Sequence, residues 1–208
     1  MSAESNSVCR LCRRERQKLF LKGDRCYTDK CAVERRPYPA GQHGQARPKF
    51  SDFALQLREK QKVKRLYGVH EAQFRRYFRE ADKSKGVTGA TLLLKLERRL
   101  DNTVYLLGLA ASRREARHLV KHSHYLVNGK KVNMPSYEVK QGDVIEVRQG
   151  SRDMNKVLGA IESIKRREIP KWLDASHGDF KGTVKDNPTR EDITFPIEEH
   201  MVVEYYSR

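Results

Sequence analysis

Every cysteine of the chain lies in its first 31 residues, at Cys9, Cys12, Cys26 and Cys31, in the spacing C-x2-C-x13-C-x4-C. Two close pairs separated by a short loop suit a tetrahedral thiolate site, since each pair can supply two of the four ligands. One Zn2+ is the expected occupant, and an iron–sulfur cluster is the alternative on the same four thiolates. Two disulfides are the rival use of such pairs, and a reducing compartment argues against them. Residues 1–50 hold few large apolar side chains, so a bound metal would supply folding free energy that a core of that size cannot. The folded knuckle would then display Arg10, Arg13, Arg14 and Arg16 on one surface, as a scaffold for cations.

Charge is the dominant global feature. The chain of 208 residues carries 43 Lys and Arg against 27 Asp and Glu, a net charge of +16. The excess is uneven: +7 in residues 1–50, +7 in 51–100, +3 in 101–150 and -1 in 151–208. A cationic field concentrated in this way attracts polyanions, above all nucleic acid phosphates. No run of 18 apolar residues exists to span a membrane, and the opening "MSAESNSV" lacks the basic and apolar regions of a secretory signal. The chain is therefore expected in a reducing cytosol, with an organelle that has its own translation apparatus as the alternative.

The elements that must position these charges can be read in order. Glu34–Phe50, "ERRPYPAGQHGQARPKF", has three prolines, two glycines and no period, and reads as an extended basic loop. Within it Arg35, Arg36, Tyr38, Gln42, His43, Arg47 and Lys49 interleave cations and polar groups with rings, a mixture suited to phosphates and unstacked bases. A first helix is expected after Ser51 or Asp52 and should stop at Gly68. Its Arg58, Lys60, Lys62, Lys64 and Arg65 make it strongly basic. A second helix places Phe74, Tyr77, Phe78 and Ala81 on one face, read as core rather than as base-stacking platforms. A third, after a Thr88 cap, turns Leu92, Leu93, Leu96 and Leu100 inward, so the three helices should form a small bundle.

The stretch from Leu100 to Val147 carries the sharpest signals. Ser112 and Glu115 form an S-x-x-E capping box that starts a helix. Arg113, Arg117 and Lys121 recur at intervals of four on it, with Arg114 and His118 beside them, His122 just beyond, and Ala116, Leu119 and Val120 on the other face. Asn128-Gly129 between "YLV" and "KKV" signals a type I′ hairpin, which would present Lys130 and Lys131. Gly142-Asp143 marks a further turn before a strand. A basic helix against a small sheet is expected to face RNA, and Asp101 and Asp143 are read as cap and turn residues rather than catalytic acids.

Ser112–Arg117 with Val127-Asn128-Gly129 and Gly142-Asp143 resembles the small RNA-binding module named after ribosomal protein S-four. "RRPYPAGQHG" (Arg35–Gly44), "LREKQKVKRLYG" (Leu57–Gly68), "LERRLDNTVYLLG" (Leu96–Gly108) and "VEYYSR" (Val203–Arg208) extend the likeness to the bacterial-type S-four family, from Cys9 to the last residue. The four cysteines fit that family's metal-binding subgroup, and its short basic leader is replaced here by "MSAESNSV" with Glu4. The resemblance implies an α+β fold: a four-cysteine metal knuckle and basic loop in residues 1–50, a discontinuous helical domain of 51–97 plus 172–208 completed by the C-terminal tail, and an inserted helix-plus-small-sheet RNA-binding domain in 98–171. Tail residues Ile193, Phe195, Ile197, Val202 and Val203 are expected to form a strand or packing segment. The resemblance further implies a non-enzymatic constituent of the small ribosomal subunit, in the cytoplasm or an organellar ribosome. Such a protein binds the 5′ domain of small-subunit rRNA, nucleates assembly of the subunit body, and contributes to decoding accuracy beside neighbouring ribosomal proteins and mRNA. Neither a membrane nor a small-molecule substrate is implied. The alternative is an RNA-modifying or RNA-handling protein using the same module, but no nucleotide-binding or catalytic motif accompanies it.

Overall fold

The structure is a computed structural model that describes residues 7–46, 49–164 and 167–207. The first six residues of the leader, Glu4 among them, and Arg47 lie outside the described residues. Nine α-helices are present among those described: α1 (Cys9–Glu15), α2 (Ala32–Arg35), α3 (Asp52–Leu66), α4 (Glu71–Asp82), α5 (Thr88–Glu97), α6 (Leu100–Leu106), α7 (Arg113–Lys121), α8 (Asn155–Ser163) and α9 (Glu199–Tyr206). The strands are β1 (Tyr125–Val127), β2 (Lys130–Lys131), β3 (Val144–Val147), β4 (Leu173–Ser176) and β5 (Lys181–Val184). They form one sheet in the order β2-β1-β3-β5-β4, with every pair antiparallel.

Two compact units result, Met1–Phe74 with Ile197–Arg208, and Arg75–Pro196. The first is made of two stretches of the chain, and its bounds differ from 51–97 plus 172–208. The segment around residues 172–184 joins the sheet as β4 and β5, because β5 pairs with β3 and covers the edge that a three-stranded ribbon would leave open. The tail residues beyond Pro196 form a helix, α9, rather than a strand, and bury Ile197 and Val202.

In the first unit Ser51 caps α3, its hydroxyl accepting from the Ala54 amide at 3.3 Å. Gly68, with φ of +61°, takes the left-handed conformation two residues beyond the helix. α3 packs on α9. Gln56 donates to Glu204 at 2.8 Å, the Glu198 amide donates to Glu59 at 2.9 Å, and the Phe53 and Tyr205 rings lie 5.7 Å apart. Glu71 accepts from Lys60 (2.9 Å), Lys64 (2.8 Å) and the Tyr206 hydroxyl (2.8 Å). Burial alone would raise the Glu71 carboxyl, but these three donors prevail and hold it down at about 2.

In the second unit α5 starts at Thr88 itself. Val87 occupies the cap position with no side-chain bond, so Thr88 is not the cap that the sequence suggested. Tyr77, Phe78 and Ala81 are buried, as the aromatic stripe requires. The main core joins Leu100, Val104, Leu107, Leu119, Val120, Tyr125, Ile145 and Trp172. A buried cation precedes Leu100 in the chain: Arg99, 1% exposed, donates to both oxygens of Asp101 (3.0 and 2.7 Å) and to the Tyr77 hydroxyl (2.6 Å). The adjacent Asn102 donates to Glu97 at 2.6 Å, tying α5 to α6. Removing one member of such a pair leaves a buried charge without its partner. Asp101→Ala is therefore expected to cost about 3–5 kcal/mol of unfolding free energy. Urea denaturation followed by circular dichroism checks this, and a loss within experimental error would remove Arg99 from the account of stability.

Candidate nucleic-acid interface

The cysteines sit on three local elements. Cys9 and Cys12 are on α1, Cys26 is in a tight turn over Gly23–Tyr27, and Cys31 caps α2. All four are free; Cys12, Cys26 and Cys31 are buried and Cys9 is half-buried. The Lys22 backbone amide donates to the Cys26 sulfur at 3.4 Å. Burial, with a smaller contribution from the charges of Cys26, Cys9 and Cys31, pushes the Cys12 thiol up to about 11, so the four groups sense one another. Among the described residues, however, no three His, Cys, Asp or Glu side chains are gathered as a metal site.

The predicted cations separate into two groups. Arg10, Arg14, Arg35, Arg36 and Lys49 are exposed, as are Gln42 and His43. Arg13 is not: its Nε donates to the Tyr38 carbonyl at 2.8 Å and its guanidinium lies 5.1 Å from the Tyr38 ring, so both residues fasten the basic loop to α1. Gly44 belongs to the same fold-back, since a Cβ there would meet the Pro39 carbonyl oxygen at 2.0 Å. Arg58 and Arg65 are half-buried around the Glu15 carboxylate, which is 2% exposed. Burial pushes Glu15 up from its ordinary value and the two guanidinium groups oppose the rise.

Lys60 and Lys62 correct the sequence reading most clearly. They are 4% and 7% exposed. Lys60 is enclosed by Glu71 and the faces of Tyr205 (4.5 Å) and Tyr206 (5.8 Å), while Lys62 pairs with Glu59 at 2.7 Å. Lys64 also pairs with Glu71. Lys60 and Lys64 hold α3 to Glu71, Lys60 meets α9 and Lys62 is paired within α3 itself; helix periodicity alone cannot show that a tail returns to cover Lys60.

In the second unit Ser112 caps α7, accepting from the Glu115 amide at 3.2 Å, and Glu115 reaches back to the Ala111 amide at 2.9 Å. The expected basic face of α7 divides. Arg113 donates to Asn102 at 2.7 Å and lies 4.5 Å over the Tyr105 ring, and Arg117 approaches Asp101 at 4.0 Å, so both turn toward α6. Arg114, His118, Lys121 and His122 are exposed. The hairpin continues this surface with exposed Lys130 and Lys131. Asn128 and Gly129 have φ of +50° and +74°, the two positive values of a type I′ turn. The Asn128 side chain is structural: it donates to Asp143 at 2.8 Å and accepts from the Val144 amide at 2.9 Å, locking the hairpin to β3.

Sequence reasoning missed the residues that flank this surface. The His118 and His122 rings are 4.4 Å apart, and His122 and His124 are 6.4 Å apart. Burial lowers His124 from its ordinary value, and the charges of His122, Arg148, His118 and Lys156 lower it further. Arg148 and Lys156 thus lie within electrostatic range of the end of α7, although one follows a strand and the other opens α8. Arg167 lies 4.5 Å from the centre of the Tyr105 ring, as Arg113 does. In the sequence, the basic run at residues 113–121 is the signal nearest to them.

Comparison with known proteins agrees with the geometry. Residues 4–97 match the family described as ribosomal protein S4/S9 N-terminal domain, and residues 98–145 match the S4 domain. The chain is 64% identical to small ribosomal subunit protein uS4A of Bdellovibrio bacteriovorus, over 208 residues and the whole of both chains. It is 57% identical to uS4 of Syntrophobacter fumaroxidans and 59% identical to uS4 of Geotalea daltonii, again over the full length of each. With both domains present in order and identity sustained from end to end, the chain belongs to the bacterial uS4 family of small-subunit ribosomal proteins, structural rather than enzymatic and built to bind rRNA.

Proposed function

We propose that the chain anchors the 5′ domain of small-subunit rRNA through the outward cations of its two units and so nucleates assembly of the subunit body. In the assembled particle it would lie beside neighbouring ribosomal proteins near the mRNA entrance and influence decoding accuracy. The observation that carries the reading is the division of the cations. Lys121, Lys130 and Lys131 are exposed and form no ion pair among the described residues, whereas Arg113 and Arg117 are held by α6. Exposed charges on fixed elements contact phosphates, and A-form RNA is recognised mainly through its shape and backbone.

Binding of the purified chain to a 5′-domain transcript, against an unrelated structured RNA of equal length, tests this at two salt concentrations. Preference for the 5′ domain should survive the higher salt. The triple variant Lys121→Gln, Lys130→Gln, Lys131→Gln should reduce the slope of log K against log salt by about one per residue. Arg113→Gln with Arg117→Gln should instead lower the thermal midpoint. An unchanged slope in the lysine variant would contradict the assignment of this face.

The cysteines support a structural metal, zinc in the first place, held by Cys9, Cys12, Cys26 and Cys31. Four thiols, one of them accepting the Lys22 amide, are the donor type that suits a thiolate-bound ion, whose chemistry would be to draw α1, the Cys26 turn and α2 together. Since the Cys12 thiol is raised to about 11, it is protonated at neutral pH without metal, and binding must release protons. Zinc affinity is therefore expected to be higher at pH 8 than at pH 6, with one equivalent per chain. Cys26→Ser with Cys31→Ser should abolish binding and spare most of the far-UV helical signal. No bound equivalent in the wild-type chain, or collapse of the whole helical signal in the variant, would overturn this reading.

A further inference from the structure

The first unit contains a cavity of about 800 Å³ between α1, the basic loop and the start of α3. Its volume falls within the range of sites that enclose small ligands. Two chemistries meet in its lining. Arg14, Arg16, Arg58 and Arg65 supply four guanidinium groups against one carboxylate, Glu15. Phe50, Leu55 and Leu57 supply an apolar surface, and two of these remain open to water, Phe50 at 47% and Leu55 at 43%.

The walls are fixed. Arg13 grips the carbonyls of Tyr38 and Pro39 at 2.8 and 3.4 Å on one side, and the Ser51 cap sets the start of α3 on the other. Arg58 and Arg65 are oriented by their shared partner Glu15, so ordering them for a ligand costs little further side-chain entropy.

A surplus of arginines calls for an anion, and an apolar wall calls for something flat and poorly hydrated. An RNA duplex would reach the arginines but leave Phe50 and Leu55 wet, since its bases are stacked away from the protein. A free phosphate would do the same. A nucleotide turned out of its strand satisfies both halves at once: base on the apolar wall, phosphate among the guanidinium groups. We propose that this cavity receives a single unstacked nucleotide of the bound rRNA, with Phe50 as its stacking partner and Arg14 and Arg16 at its phosphate. The proposal rests on the reading of the chain as an rRNA-binding protein and adds the mode of contact.

The test uses the full chain with the 5′-domain transcript. Phe50→Ala should weaken binding about tenfold, the scale on which a base–aromatic stack contributes. It should leave the salt slope unchanged, because no phosphate contact is lost. Phe50→Tyr should restore affinity. Arg14→Gln with Arg16→Gln should reduce the slope by about one, for the one phosphate they share. Matching far-UV spectra establish that the variants are folded, which the exposure of Phe50 favours. A 5′-domain preference kept intact by Phe50→Ala at wild-type affinity overturns the nucleotide pocket and leaves the RNA-binding reading standing. A wild-type chain with no preference for the 5′ domain overturns both.

Discussion

A cation taken from water without a partner costs several kcal/mol, and this chain must fold with 43 Lys and Arg side chains. That constraint orders the rest of the structure. The cations that enter the interior do so on a carboxylate: Arg99 on Asp101, Lys60 on Glu71 and Lys62 on Glu59. The half-buried Arg58 and Arg65 share Glu15. Each one-to-one pair is neutral, so the excess of bases over acids is left to the surface. With fewer acids than bases to begin with, the surface is left with unbalanced positive charge where Lys121, Lys130 and Lys131 stand exposed. The interior pairing and the RNA-facing field are two sides of one distribution.

Position follows from the same economy of polar groups. The Ser112–Glu115 capping box fixes where α7 begins, and the Arg113–Asn102 bond fixes how it rests on α6. Asn128 and Asp143 join the hairpin to β3, and β5 with β4 extend the sheet beyond it. Helix, hairpin and sheet within this unit are thus set before RNA arrives, so little ordering entropy opposes binding. The first unit reaches a similar end differently, with Arg13 stapling the proline- and glycine-rich loop to α1 and α9 closing over α3.

Local signals in the sequence were faithful where the deciding interaction is local. The capping box, the Asn-Gly turn, the Ser51 cap and the aromatic stripe of α4 each depend on residues within about one helical turn or one hairpin, and each forms as read. What depended on distant segments was not legible. Nothing near Lys60 announces that Tyr205 and Tyr206 will cover it, and nothing near Arg113 announces Asn102 and Tyr105. Lysine spacing on a helix gives the direction of a charge but not its neighbours. The same holds for β4 and β5, two short strands: β3 offers an edge to β5, and β5 in turn offers one to β4. Of the predicted interface, the residues named by composition were largely present at the surface, while those chosen by periodicity needed the tertiary structure to divide contact from scaffold.

Lysine acylation mapped by mass spectrometry, with and without the 5′-domain transcript, tests this division most directly. The account predicts that Lys121, Lys130 and Lys131 are modified in the free chain and protected in the complex, while Lys60 and Lys62 stay unreactive in both. Reactive Lys60 and Lys62 in the free chain that only RNA protects, with Lys121, Lys130 and Lys131 indifferent to RNA, would contradict it.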